Sequence, residues 1–369
     1  MKSTTFNLRI PGPTPLPPRV LNAVSQQMIN HRSSSYEEMQ KRIIKKLKHF
    51  FGTKNEIFLI TSSGMGGLEA SIVNFFSSGE KVIFLSCGEF GNRWAEIGRR
   101  YKLDVIHKKI RSGKGFSRKL VDNILKTENK IAAVFITLNE TSTGVLNPVA
   151  EIVRTVKHLE YRPLILVDGI SALGAVNLPM DESGIDVMVT ASQKAWMAPP
   201  GIAMIAVSDH AMQKYENSNL PKYYFDLKMY HEYNLKNQTP ATPAVATLFG
   251  LDASLELMQK EGKDAIFKRH LELRDFLRVQ IKKIGFKLFV DEEFASPTVT
   301  SIKLPENVDG HEWLYVLRER YNIILAGGMG ETNGKIIRIA HMGYVNKGNL
   351  EKVLNALEKS IKNKQVLIK

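Results

Sequence analysis

An α/β fold on a mostly parallel sheet, followed by a smaller α+β domain, is what this sequence predicts. Three observations predict it. From about residue 56 onward, short apolar runs alternate with stretches of helical spacing, the order expected of parallel strands joined by helices. The runs "EIFLIT", "KVIFLS", "IAAVFITL" and "LILVDGI" are continuously apolar rather than alternating, as strands covered on both faces are. After about residue 255 the pattern changes to one long helical stretch, then several short strand-like runs among further helices.

Each element follows in order. Residues 1–19 include "PGPTPLPP" and form an extended N-terminal segment, because proline breaks regular structure. "RVLNAVSQQMIN" and "YEEMQKRIIKKLKHFFG" space their apolar residues as helices do, the second closing at Gly52. "EIFLIT" leads into the helical "GGLEASIVNFF", "KVIFLS" into "GNRWAEIGRRY", and "IAAVFITL" into "PVAEIVRTVKHL". "LILVDGI", "GIDVMVT" and "GIAMIAVS" are further strands, and they complete a large domain over residues 20–255. Residues 256–369 form the smaller domain. "DAIFKRHLELRDFLRVQIKKIG" and "DGHEWLYVLRER" are helices, "FKLFV", "TVTSIKLP", "NIIL" and "KIIRIAH" are strands, and a last helix begins near residue 346. Its basic tail, "EKSIKNKQVLIK", has the look of a solvated helix end.

Composition narrows the function. The 369 residues are 43% hydrophobic and 24% charged, an ordinary globular balance. Lys and Arg number 51 against 37 Asp and Glu, a net charge of +14. These cations are spread along the chain without interleaved aromatics, so a lysine-rich surface is expected rather than a nucleic-acid site. Cys87 is the one cysteine and cannot close a disulfide within the chain, which suits a reducing cytoplasm. The N-terminus has no apolar signal core, and no run approaches the roughly 18 apolar residues of a membrane span. No membrane partner and no metal are expected.

Five places carry chemistry. In "TSSGMGGLEA" an apolar strand runs through Ser63 and Gly64 into a helix. Free amides and the helix dipole there suit a phosphate, although an ordinary strand-to-helix turn has the same composition. No Gly-Lys-Ser/Thr follows and the G-x-G-x-x-G spacing is missing, so neither a P-loop nor a dinucleotide fingerprint fits. In "LILVDGISALG", Asp168 ends an apolar strand, where open α/β sheets place ligands. It can bind metal, ribose or a protonated ring nitrogen, or cap a turn. In "CGEFGNRWAEI", Phe90 is expected in the loop before a helix, either stacking on a flat ring or anchoring the core, with Trp94 packed inside. In "GKIIRIAH", Arg338 sits within an apolar strand and needs a carboxylate, from a structural ion pair or from a ligand held by its fork. Between "GIDVMVT" and "GIAMIAVS" lies Lys194, a charge that is costly to bury unless its amine is used. Amine, acid and phosphate turn together point to pyridoxal phosphate, which carries an aldehyde, a ring nitrogen and a phosphate.

The ordered motifs "SSGMGGLEA", "CGEFGNRW", "NETSTGVLNP", "VDGISALGA", "SQKAWMAPPG", "TPATPAV" and "GKIIRIAHMG" resemble the class V aminotransferases of the alanine–glyoxylate and serine–pyruvate type, fold-type I pyridoxal-phosphate enzymes. The resemblance covers nearly the whole chain. It implies that Lys194 is the Schiff-base lysine, that Asp168 pairs with the pyridine nitrogen, and that Phe90 stacks on the ring where many relatives have tryptophan. It places Ser63, Gly64, the Met65 backbone and Gln193 at the phosphate, and Thr141 beside the ring. It further implies a homodimer in which Thr239 and Thr242 reach the neighbouring subunit's cofactor, Thr239 standing where relatives often have tyrosine. Arg338 would bind the substrate α-carboxylate, and the backbone around Gly12 would touch substrate. The implied reaction moves an amino group from alanine or serine to glyoxylate or pyruvate. Aspartate and phosphonate-bearing or sulfonate-bearing amino acids remain alternative donors, as does a lyase or desulfurase reaction. Desulfuration needs a mobile cysteine, and Cys87 is expected to be a small core residue.

Overall fold

The computed structural model describes residues 6–128 and 130–362. Seven strands form the central sheet in the spatial order Asp104–Lys109, Lys81–Ser86, Ala133–Thr137, Leu164–Asp168, Val187–Ala191, Ile202–Val207 and Glu56–Thr61. All neighbours run parallel except Ile202–Val207, which is antiparallel to both of its partners. Successive side chains on a strand point to opposite faces, and here both faces are apolar. Ile57, Leu59, Val134, Ile136, Ile165 and Val167 enter one core, while Phe58, Ile60, Ala133, Phe135, Leu164 and Leu166 enter the other. That is the physical reason for the continuous apolar runs. Asp104–Lys109, "DVIHKK", gave no such signal because it is the polar edge strand, and charge on an edge discourages pairing with other chains.

Helices cover both faces. Ser34–Phe51 buries Tyr36, Ile43, Leu47 and Phe51 and ends at Gly52, whose φ of 62° is the left-handed conformation that glycine adopts cheaply. Gly64–Val73 packs Leu68 and Ile72 beneath the second core. Phe90 corrects one expectation: it is the second residue of the helix Glu89–Arg100, not part of the preceding loop, while Trp94 of that helix is buried as expected.

Beyond the sheet, Val245–Glu261 and Lys263–Lys283 are long helices, and residue 255 falls inside the first of them. Val299–Lys303, Ile336–Ala340 and Ala326–Gly327 form a three-stranded antiparallel sheet packed on Gly310–Tyr321 and Lys347–Lys362. Two runs expected as strands of this unit behave differently. "FKLFV" makes only an isolated bridge from Leu288 to Ile302, and Ile323–Ile324 pairs in parallel with Asn7–Leu8 of the N-terminal segment. The basic tail is helical to Lys362, and its remaining residues lie outside the described part. Among the described residues no helix is long and apolar enough to cross a membrane.

Candidate active site

The sheet delivers Asp168 to the C-terminal end of its central strand, and the next connection brings Lys194 back over the same edge. Ser63, Gly64, Met65, Phe90, Thr141, Asp168, Gln193 and Lys194 line one cavity, together with Leu68, Asn139, Ile170 and Ser171. The eight residues expected around the ring and phosphate are therefore brought together.

Ser63 stands at the N-cap of Gly64–Val73 but makes no side-chain cap bond. The helix N-terminus faces the cavity without an internal substitute for an anion. Gly64 is required for close approach: a Cβ there would lie 2.7 Å from Ile170 Cδ1 and 3.2 Å from Ala191 Cβ. Gln193 Oε1 is buried and has no hydrogen-bond partner, an unmet acceptor in the wall of the cavity.

Asp168 is buried, and its Oδ1 accepts from the Ile170 N–H at 2.9 Å. Burial pushes its carboxyl up to about 7; the Ile170 amide opposes that, nearby Glu140 adds to it, and Lys194 opposes it. The opposite shift occurs at Lys194. Burial brings its ammonium down to about 8, Asp168 works against this, and Arg338 reinforces it. Lys194 Nζ donates to the Pro11 carbonyl at 2.5 Å. Gly12 follows, with φ of 115°, and a Cβ there would meet Lys194 Cδ and Nζ at 2.7 Å. The N-terminal segment thus closes directly on the lysine. Thr14 holds the loop from the other side, its hydroxyl donating to the Lys194 carbonyl at 2.9 Å.

Arg338 is buried in the strand Ile336–Ala340. Nε donates to the Gly327 carbonyl at 2.7 Å and Nη1 to the Thr141 carbonyl at 3.0 Å. It makes no ion pair among the described residues, so the structural ion pair left open by its sequence is not what holds it. Burial lowers its pKa to about 10. Thr239 and Thr242 lie elsewhere: Thr239 is buried with its hydroxyl donating to the Ala241 carbonyl at 2.8 Å, Thr242 is exposed, and neither lines this cavity. Cys87 is buried, accepts from Asn147 Nδ2 at 3.3 Å, and has its thiol pushed up by burial.

Glu140 and Pro11 were missed from the sequence. Glu140 stands one residue beyond the apolar run "IAAVFITL", past Asn139, whereas Asp168 directly follows "LILV", so a search for acids near strand ends would have found it. Pro11 acts through a backbone carbonyl, which no side-chain pattern announces.

The model of the family described as aminotransferase class-V matches residues 6–347. The chain belongs to the class V aminotransferases. Over 95% of its length this aminotransferase is 36% identical to the soluble hydrogenase 42 kDa subunit of Anabaena cylindrica, covering 92% of that protein. It is 35% identical to the L-aspartate–glyoxylate aminotransferase of Paracoccus denitrificans, over 90% of this chain and 85% of the other. The solved alanine–glyoxylate aminotransferase from Nostoc sp. superposes with a TM-score of 0.93 at 27% identity, covering 98% of this chain and 96% of that one. The aminotransferase therefore has the fold-type I architecture expected from its motifs.

Proposed function

We propose that this aminotransferase binds pyridoxal phosphate through Lys194 and moves an amino group from alanine or serine to glyoxylate or pyruvate. The observation that carries the reading is the union in one cavity of an uncapped helix N-terminus, a buried acid and a lysine of lowered pKa. The residues fit the group. Ser63, Gly64 and Met65 offer amides to the phosphate, Gln193 would donate to it through its side-chain NH2 group, Asp168 offers an anion to the ring nitrogen, and Lys194 an amine to the aldehyde. When bound, the cofactor supplies a carbonyl for amine exchange and an electron-withdrawing ring that stabilises charge at the substrate α-carbon.

The chain's own groups do the rest. Lys194 would hold the cofactor's aldehyde and, as a free amine, take the proton from the substrate α-carbon; with its ammonium brought down to about 8 it is partly neutral at physiological pH, where an ordinary lysine is almost wholly protonated. Pro11 accepts a hydrogen bond from that amine and keeps it over the cavity. Asp168, facing a cation, ionises and stabilises the protonated ring nitrogen. Arg338, with Nε and Nη1 tied to carbonyls, presents its remaining N–H groups to the substrate carboxylate.

A small donor is favoured because a side-chain carboxylate calls for a second fixed cation beyond Arg338, which stands outside this lining, and Lys194 is the one cation among the lining residues. Glyoxylate as acceptor is supported by the names of the Paracoccus and Nostoc proteins. The hydrogenase name is said of the Anabaena protein and is not carried over to this chain, whose one buried cysteine offers no set of thiolates for a metal cluster. Thr239 and Thr242, standing apart from this chain's cavity, support a homodimer in which they serve the neighbouring site. The single cysteine supports a cytoplasmic location.

The test is the absorbance of protein incubated with pyridoxal phosphate. A band that bleaches with alanine or serine and returns with glyoxylate or pyruvate is the expected result. Bleaching by aspartate alone moves the donor to the dicarboxylic class, and a protein that stays colourless overturns the reading.

A further inference from the structure

Glu140 has no part in the reaction as described above, yet it is the most completely enclosed carboxylate near the site, with no exposed surface. Its Oε2 accepts from the N–H groups of Phe90 and Gly91, each at 3.1 Å. Its Oε1 accepts from the Ser142 N–H at 3.0 Å and the Ser142 hydroxyl at 2.7 Å. The contacts come from three backbone N–H groups and one hydroxyl. Burial pushes the carboxyl up, and all four donors oppose that; the hydrogen-bond pattern is the one an anion needs. The first turn of Glu89–Arg100 adds its dipole.

The surroundings are shaped for this side chain. A Cβ on Gly88 would lie 2.4 Å from Ser142 Oγ and 2.6 Å from Glu140 Cγ, so only glycine lets the two segments meet. Ser142 Oγ also accepts from the Glu89 N–H at 3.0 Å. Phe90 lines the cavity from one of these segments and Thr141 from the other. The Thr141 carbonyl then holds Arg338 Nη1 at 3.0 Å. One carboxylate therefore connects the aromatic wall of the cavity to the arginine in the opposite domain.

We propose that Glu140 is a positioning residue of this site: its buried carboxylate locks the Phe90 turn to the Thr141–Ser142 turn, fixes the spacing between the aromatic platform and Arg338, and supplies the resident negative charge between them. The proposal rests on the function proposed above, since it takes Phe90 as the ring platform and Arg338 as the carboxylate site.

Geometry and charge are separated by two substitutions. Glu140→Gln keeps the shape but turns an NH2 group toward at least one N–H donor and removes the charge. Glu140→Asp keeps the charge and withdraws it by one methylene. The protein loaded with pyridoxal phosphate is titrated with propionate, an unreactive carboxylate, and the change in its absorbance band gives a Kd. The pH midpoint of the same band is recorded without propionate. Both variants should weaken propionate at least tenfold, because both disturb the spacing. Glu140→Gln alone should lower the pH midpoint, since loss of a nearby anion disfavours protonation of the groups in the cavity. Ser142→Ala, which removes one of four donors and leaves the charge, should weaken propionate about threefold with no change in midpoint. This milder variant keeps the test decisive if the substitutions at 140 do not fold.

Wild-type Kd and midpoint in every variant that folds, with only the melting temperature lowered, would overturn the proposal and leave Glu140 a structural residue. If propionate moves no band in the wild type, or binds Arg338→Ala as well as wild type, the functional reading itself fails and takes this proposal with it.

Discussion

Four enclosed cations divide into two kinds, and a fifth falls between them. Lys46 meets Asp252 at 2.8 Å and Glu256 at 3.8 Å, and Arg278 meets Glu292 at 2.8 Å. Each has a carboxylate that settles its charge within the chain. Lys194 and Arg338 are instead held by neutral carbonyls, of Pro11 in the one case and of Gly327 and Thr141 in the other. A carbonyl orients a cation without neutralising it. The first pair spends its charge on structure, whereas the second keeps its charge for something that arrives. Arg9 falls between them: buried, it reaches only the Tyr344 carbonyl at 3.5 Å, two residues before the proline that holds Lys194.

The widest contrast is between the two lysines. Lys194→Ala should lower kcat by roughly 10³-fold or more, because it removes both the attachment point and the proton carrier. Lys46→Met should cost about 1–3 kcal/mol of stability by leaving Asp252 with fewer partners, with KM and the cofactor band unchanged. Thermal melting and steady-state kinetics on the same two proteins check both halves. A Lys46→Met protein that melts normally but has lost its band would erase the distinction.

The arginines give a smaller separation. Arg338→Lys keeps the charge but loses the planar fork, so KM for the amino donor should rise roughly 10–100-fold, with a lesser change in kcat. Arg278→Lys also keeps its charge, and its partner Glu292 is largely exposed. It should leave KM where it was. Equal KM values in the two variants would mean that Arg338 is as structural as Arg278.

The sequence made these kinds of charge legible to different degrees. Lys194 and Asp168 stood out because a lone charge in or beside an apolar run needs a reason, and the sheet places both at one edge. The apolar runs were themselves readable because each strand feeds two cores. Asp104–Lys109 escaped notice because an edge strand is free to be polar, and "FKLFV" looked like a strand although only Leu288 bridges to Ile302. Phe90 was placed in a loop because its glycine-flanked setting hides the helix start. Glu140 could have been found as an acid near a strand end, but its role could not: its donors at Phe90 and Gly91 lie about 50 residues away. The Pro11 carbonyl that holds Lys194 is 183 residues distant. Contacts of that range belong to the folded chain, and backbone partners leave no mark in residue types.

The finest test of the comparison is a titration of Lys194 itself. Its ammonium is brought to about 8 by burial, with Asp168 opposing and Arg338 assisting. Only the neutral amine attacks an aldehyde, so uptake of pyridoxal phosphate by cofactor-free protein should accelerate with pH and level off above about 8. At pH 7 the rate should be roughly a tenth of its plateau, one pH unit corresponding to a tenfold change in the neutral fraction. The neighbours should move the midpoint with opposite signs. Asp168→Asn removes the charge that favours the ammonium and should lower it. Arg338→Ala removes the charge that disfavours the ammonium and should raise it, whereas Arg338→Lys should leave it nearly in place. Stopped-flow absorbance at a fixed cofactor concentration measures all four proteins. A wild-type rate still climbing toward the ordinary lysine value of 10.5 would show that Lys194 is solvated like any surface lysine, and the division between spent and reserved cations would then have no physical basis.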